Sequence, residues 1–265
     1  MEKFNFCVQP KTSNMNHVTL TFLRKSKFLW LLLALPVIMG SCHNILGKRI
    51  KGNGNVRTED RSVSDFKNVH VSGAAKVMVS QGDQPSVKIE TDENLLQYIE
   101  VNQTGDRIEV RERSGFNLRP TGDIKVYVTT KVYNKIEASG ACDIIGQSKI
   151  SNPEDLSLDV SGAGDIKMEV DAPRLSAQVS GSGSIDLKGQ TREVDLDLTG
   201  AGHAHCYELL SENTKVEISG AGSAEVFASV KLDATVSGAG NVNYKGNATS
   251  VNQHVSGAGS VHKAD

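Results

Sequence analysis

The chain lacks any apolar run of the roughly 20 residues that a membrane-spanning helix requires. Its N-terminal run Phe28–Met39 (FLWLLLALPVIM) is unbroken but has twelve residues, which excludes a retained transmembrane helix there. Helical periodicity is missing too: in the repetitive part no window holds apolar residues at i, i+3, i+4 and i+7 over a useful length. Aromatic residues make up 5% of the chain, and its one tryptophan, Trp30, lies in the leader. There is no basic stripe, so a nucleic-acid partner is excluded. The glycine-rich strings are G-x-G without a third glycine or a following helix, so they are not phosphate-cradling loops. Ser182, in Ser180-Gly181-Ser182-Gly183-Ser184, has no Gly-x-Ser-x-Gly frame, and no nucleophile elbow is present.

What the N-terminus does hold is an export signal. Arg24, Lys25 and Lys27 precede the apolar run, and Gly40 and Ser41 precede Cys42. Small residues directly before a cysteine at that place resemble a lipobox, which makes Cys42 the expected lipidation site and the first mature residue; the alternative is an ordinary signal peptide with a chance cysteine, but Ala-x-Ala is absent there. Counting from Met15 leaves 27 residues before Cys42, a more usual leader, so Met15 is an alternative start. A multiply acylated cysteine is a stable anchor, each buried methylene contributing about 0.8 kcal/mol. The expected partner of the N-terminus is therefore a membrane surface. Residues 42–55, with Gly47, Gly52 and Gly54 and no apolar period, read as a flexible tether. Removing residues 1–41 takes five basic residues and one acid from the 29 and 31 of the full chain, leaving 24 against 30 and a net charge of −6.

Beyond the tether one string recurs. Val-Ser-Gly-Ala-Gly or a close variant stands around Gly73, Gly140, Gly162, Gly181, Gly200, Gly220, Gly238 and Gly257, with spacings from Gly140 onward of 22, 19, 19, 20, 18 and 19. Counting each of these glycines as zero, offsets −4 and −2 are mostly apolar (Val69/Val71, Leu158/Val160, Val216/Ile218), and so are +4 and +6 (Val77/Val79, Ile166/Met168, Ile185/Leu187). Odd offsets are polar, apart from the small residue at +1. This is the period of two of half-buried strands on either side of a glycine corner. About 19 residues per unit suits one coil of an all-β, right-handed single-stranded β-solenoid in which each unit buries its apolar side only against the next. A propeller blade needs twice that period, and a meander of hairpins would not stack like residues, as the Ser/Thr at offset −1 suggests. The glycines are expected to spare a collision with the coil interior and to supply positive φ where the corner demands it. Residues 138–265 form the repetitive part. Residues 56–137 are less regular, with alternation at Val87/Ile89, Ile99/Val101, Ile108/Val110 and Ile124/Val126/Val128 and a turn at Gln103-Thr104-Gly105-Asp106, and are expected to cap the N-terminal end.

Few residues suggest chemistry. Cys142 and Cys206 fall at inward offsets three coils apart, about 14 Å at 4.8 Å per coil, too far for a disulfide, so two buried free thiols are expected. His203 and His205 share a strand face and could chelate zinc or copper, but they sit at outward offsets without a third ligand, and no metal or other cofactor is expected. Asp143 and Asp165 share offset +3 on adjacent coils, near the separation of a retaining glycosidase pair. The plainer reading is a solvated ladder.

The leader, then Phe66-Lys67-Asn68-Val69-His70-Val71-Ser72-Gly73, then Glu93-Asn94-Leu95-Leu96-Gln97-Tyr98-Ile99, then repeated Val-Ser-Gly-Ala-Gly, resembles the putative auto-transporter adhesin, head GIN domain family of Gram-negative envelope proteins, over about Val63 to Val261. The resemblance implies a β-helical fold and carries no agreed catalytic residues; one departure is Cys142, where the other late copies have glycine. The reading is a lipid-anchored, non-enzymatic envelope protein at the outer membrane, its periplasmic or surface face left open, acting in adhesion or scaffolding on a surface glycan or a protein. Its rivals are a carbohydrate-active enzyme using Asp143 and Asp165, and a regulatory envelope protein with a protein partner.

Overall fold

Alternation along each repeat produces what it should. The odd-offset side chains face out and the even ones in, so Leu158, Ile166, Val179, Ile185, Leu196, Val216, Val236 and Val242 are all buried. A computed structural model describes residues 47–264, and the chain there is built almost wholly of strands. From Lys135 onward it is a β-solenoid: each strand pairs in parallel with its counterpart one repeat later, as Ile166–Gly181 does with Ser184–Gly200. The eight corner glycines stack directly on one another, giving seven coil-to-coil steps. At about 4.8 Å per step the stack is roughly 34 Å long.

Those glycines are required, for a reason the sequence only half discloses. Gly140, Gly162, Gly181, Gly200, Gly220, Gly238 and Gly257 adopt φ between +99° and +135°. A Cβ on Gly181 would lie 2.0 Å from the carbonyl oxygen of Gly162, and one on Gly164, two residues past a corner, 1.9 Å from that of Cys142. The expected collision is thus with the backbone of the coil beneath and not with the coil interior. Cys142 holds this second position with no positive φ: its Sγ points inward, 3.5 Å from the Gly73 and Ser139 carbonyl oxygens. Toward the opposite side of the coil, among the described residues, only Gly189 and Gly246 repeat this arrangement, and buried polar side chains serve there as well. Buried Asn152 donates to the Tyr133 and Glu154 carbonyls at 2.7 and 2.8 Å, and buried Thr191 and Thr214 donate to the carbonyls of Glu193 and Phe227.

The N-terminal part departs from simple succession. Its elements are β1 (Lys48–Lys51), β2 (Val56–Arg61), β3 (Asn68–Gly73), β4 (Lys76–Gln81), β5 (Ser86–Asp92), a 3-10 turn at Leu96–Tyr98, β6 (Ile99–Thr104), β7 (Arg107–Glu112), β8 (Phe116–Arg119), β9 (Lys125–Thr130), β10 (Lys135–Gly140) and β11 (Asp143–Gly146). The coil β3–β4 lies between β7–β9 on one side and β10–β11 on the other, all in parallel. Antiparallel partners then close the end: β6 on β7, β5 on β9 and β2 on β5. These strands cover the edge that a bare coil would leave open.

The flexible tether expected over residues 42–55 is not what the described part of it forms. Residues 48–51 are β1, which pairs in parallel with β8, and Gly52 is buried. Gly52 marks tight packing and not looseness, since a Cβ there would lie 2.3 Å from Asp92 Oδ2, while Gly54 has open space around it but a φ of +80°. Cys42 lies outside the described residues, as does the leader. Among the described residues every strand pairing and the whole hydrophobic core fall within 48–263. That unit carries what it needs to fold by itself. No helix among them is long and apolar enough to cross a membrane.

Candidate functional site

Asp143 and Asp165 stand one above the other at offset +3, and their carboxylates tie coil to coil. Asp143 Oδ1 accepts the Asp165 N–H at 3.3 Å; Asp165 Oδ1 accepts the Ser184 N–H at 2.8 Å and the Ser184 hydroxyl at 2.6 Å. The column continues through His203 and Ser223, with Nδ1 2.7 Å from Oγ, and through Asn241 and Ser260, where the Ser260 hydroxyl donates to Asn241 Oδ1 at 2.7 Å. Short polar side chains in this column bond to the coil above. A glycosidase pair must instead flank a sugar ring.

His203 and His205 share the exposed face of strand His203–His205. His205 Nδ1 lies 2.9 Å from Glu225 Oε2 one coil on. Among the described residues no group of three or more His, Cys, Asp or Glu side chains is placed to hold a metal ion. Several other charges pair from coil to coil, with Lys167–Asp186 at 2.7 Å, Lys135–Asp159 at 2.7 Å and Lys188–Glu169 at 3.6 Å. Each exposed pair contributes little alone, but these three, with partners one repeat apart, favour the same register.

Cys142 and Cys206 are free and buried, as the spacing required. Burial pushes the Cys142 thiol up, and that of Cys206 up to about 12. Only the thiolate is reactive, so the native domain is expected to resist a thiol-alkylating reagent at neutral pH and to take up two equivalents per chain, at Cys142 and Cys206, once unfolded in urea. Mass spectrometry reads the count, and rapid native labelling would contradict the burial.

Concavities are shallow and lie at the corners. One of about 460 Å³ is lined by Arg174, Glu193, Asn213, Lys215 and Lys231, and one of about 580 Å³ by Phe66, Asp83, Pro85, Asp106 and Lys131. Their charges are largely spent on one another, as in Arg174–Glu193, Lys131–Asp83 and Lys231–Asp233.

One surface escaped the sequence reading. β1 and β8 form a separate two-stranded ribbon in the register Arg49↔Asn117 and Lys51↔Arg119. Its inner side carries Leu118, buried, and Ile50, packed against the core. Arg49, Lys51 and Arg119 are exposed. Among the described residues, the Lys and Arg side chains outside any ion pair are Lys48, Arg49, Lys51, Arg119, Arg192, Lys245 and Lys263, so this ribbon holds four of the seven. The run Lys48-Arg49-Ile50-Lys51 was visible, but its partner strand lies more than 60 residues away.

Solved structures share this architecture. A putative adhesin from Bacteroides fragilis is 20% identical with a TM-score of 0.77, covering 81% of this chain and all of its own. A putative lipid binding protein from Parabacteroides distasonis is 22% identical, TM-score 0.69, over 82% of this chain and all of its own. A putative adhesin from Parabacteroides merdae is 24% identical, TM-score 0.65, again over 82% and all of its own. No curated protein matches the chain. The sequence profile of the putative auto-transporter adhesin, head GIN domain family matches residues 65–248, and the chain belongs to that family.

Proposed function

We propose that this protein is a lipid-anchored, non-enzymatic solenoid of the cell envelope that works through its regular outer faces, in adhesion or in scaffolding. The observation that carries the reading is the use made of the polar side chains. The carboxylates at Asp143 and Asp165, the imidazole of His205 and the ammonium groups of Lys135, Lys149, Lys167, Lys188 and Lys215 are engaged in bonds between coils. What remains outward is a flat repeating surface of Ser, Thr and Ala at the glycine corner, suited to broad contact with another surface. Membership of an adhesin family supports an envelope location. The anchor at Cys42 rests on the sequence pattern alone.

Protease shaving of intact cells, with immunoblotting for residues 56–265 beside a periplasmic control, tests the surface reading. Loss of the domain while the control survives is the expected result and opens adhesion assays. Protection until the outer membrane is broken retires adhesion and leaves scaffolding on periplasmic partners.

A further inference from the structure

We infer that the β1–β8 ribbon is a membrane-contact face that binds the anionic headgroups of phospholipids. Arg49, Lys51 and Arg119 project from one side of it, and neither strand contains an acidic residue. Lys51 and Arg119 are direct register partners, and like charges placed opposite one another repel. A fold that holds such a pair in place, while most of its other cations are matched with carboxylates, has left an anion to be supplied from outside. Phosphodiesters do so well, because guanidinium and ammonium groups both bind phosphate oxygens strongly.

The position of the ribbon selects a bilayer as the source. This step rests on the lipid anchor proposed above. Only residues 43–47 separate Cys42 from Lys48, and a chain of that length spans at most roughly 20 Å. An acyl chain at Cys42 therefore keeps β1 close to the headgroup plane, where each basic residue is attracted by about 1 kcal/mol and the attraction fades over a Debye length. Lipid chains and a basic patch together are the two-signal arrangement that makes peripheral attachment durable. The ribbon's apolar inner side is already packed on the domain, so the contact is electrostatic and needs no insertion.

The test uses residues 43–265, without the acylated cysteine, shown to be folded by a cooperative urea transition. Sedimentation with phosphatidylcholine vesicles, with and without phosphatidylglycerol, reads binding at low and high salt. Expected are binding only where phosphatidylglycerol is present, its loss in high salt, and a weakening of about fivefold per basic residue removed, reaching on the order of a hundredfold for Arg49→Glu, Lys51→Glu and Arg119→Glu combined. Arg49→Gln with Lys51→Gln, which leaves the strand pairing and Arg119 in place, serves as a second variant should the first unfold. No binding by the wild-type domain, or equal binding by either folded variant, overturns the inference. Metabolic labelling with radioactive glycerol examines Cys42 separately: label there with no vesicle binding removes the basic face alone, and vesicle binding without label removes the anchor alone.

Discussion

Replacing Gly181 with alanine should lower the stability of the solenoid by about 4 kcal/mol or more, among the largest effects a single methyl group can have. Two costs add. At φ +135° an L-residue is strained by about 1–3 kcal/mol. The added Cβ would also lie 2.0 Å from the Gly162 oxygen and 2.9 Å from its carbon. Both neighbours are backbone, so no side-chain rotation relieves the contact, and moving apart means breaking ladder hydrogen bonds. Gly115→Ala separates the two costs, since its φ is +86° and nothing lies within 4 Å of its Cβ; about 1–2 kcal/mol is expected there. Urea midpoints for both variants, followed by circular dichroism, check this. If Gly181→Ala is no worse than Gly115→Ala, coil stacking is not what demands glycine.

The second large effect belongs to Asp92, whose exposure is 1%. Its Oδ1 accepts the Gly54 N–H at 2.6 Å and the Thr121 hydroxyl at 2.8 Å, and its Oδ2 accepts the Thr121 N–H at 2.8 Å. One carboxylate thus pins the segment after β1 and the loop after β8 to the end of β5. Burial works to raise its pKa, but the Thr121 and Gly54 donors outweigh that and hold the group below the ordinary carboxylate value. Asp92→Ala leaves three donors without their acceptor and should cost about 3 kcal/mol at neutral pH. A depressed native pKa stabilises fully above the unfolded value near 3.9, and the contribution drains away as pH falls through the lower native value. The gap between wild type and Asp92→Ala in urea midpoint should therefore be large at neutral pH and narrow below about pH 4. A gap that stays constant into acid would mean that the charge does not matter.

How much of this was legible follows from how local each signal is. The alternation at Val77/Val79 or Ile185/Leu187 lies within one strand, and the Ser-Gly-Ala corner repeats, so coil, period and inward faces could be read directly. So could the free thiols, because the repeat supplies its own ruler. The stacking of β3 between β7 and β10 could not. β7–β9 has no glycine corner; residues 113–124, with β8 among them, take its place, so nothing in the sequence marks it as a coil. Asp92 was hidden for a similar reason: within Glu90-Thr91-Asp92-Glu93 it looks like any surface acid, and only its contacts with residues 29 and 38 positions away distinguish it. Gly52 misled, since composition cannot tell a glycine that loosens a chain from one that makes room for a carboxylate.

The sandwiched position of β3–β4 also sets an order of events as the chain is made. Its neighbour toward the repeats is 67 residues further along, as Ser80 and Gln147 show, and its other neighbour is completed only with β9. The first coil to emerge must therefore wait for β9 to close one edge and for β11, about 65 residues after its own end, to close the other, and loop closure over such distances is slow. After Gly146 each new coil finds its template finished and adds within about 19 residues of synthesis. Assembly thus has a slow, vulnerable start followed by rapid zippering, and the N-terminal half is where a kinetic defect would originate.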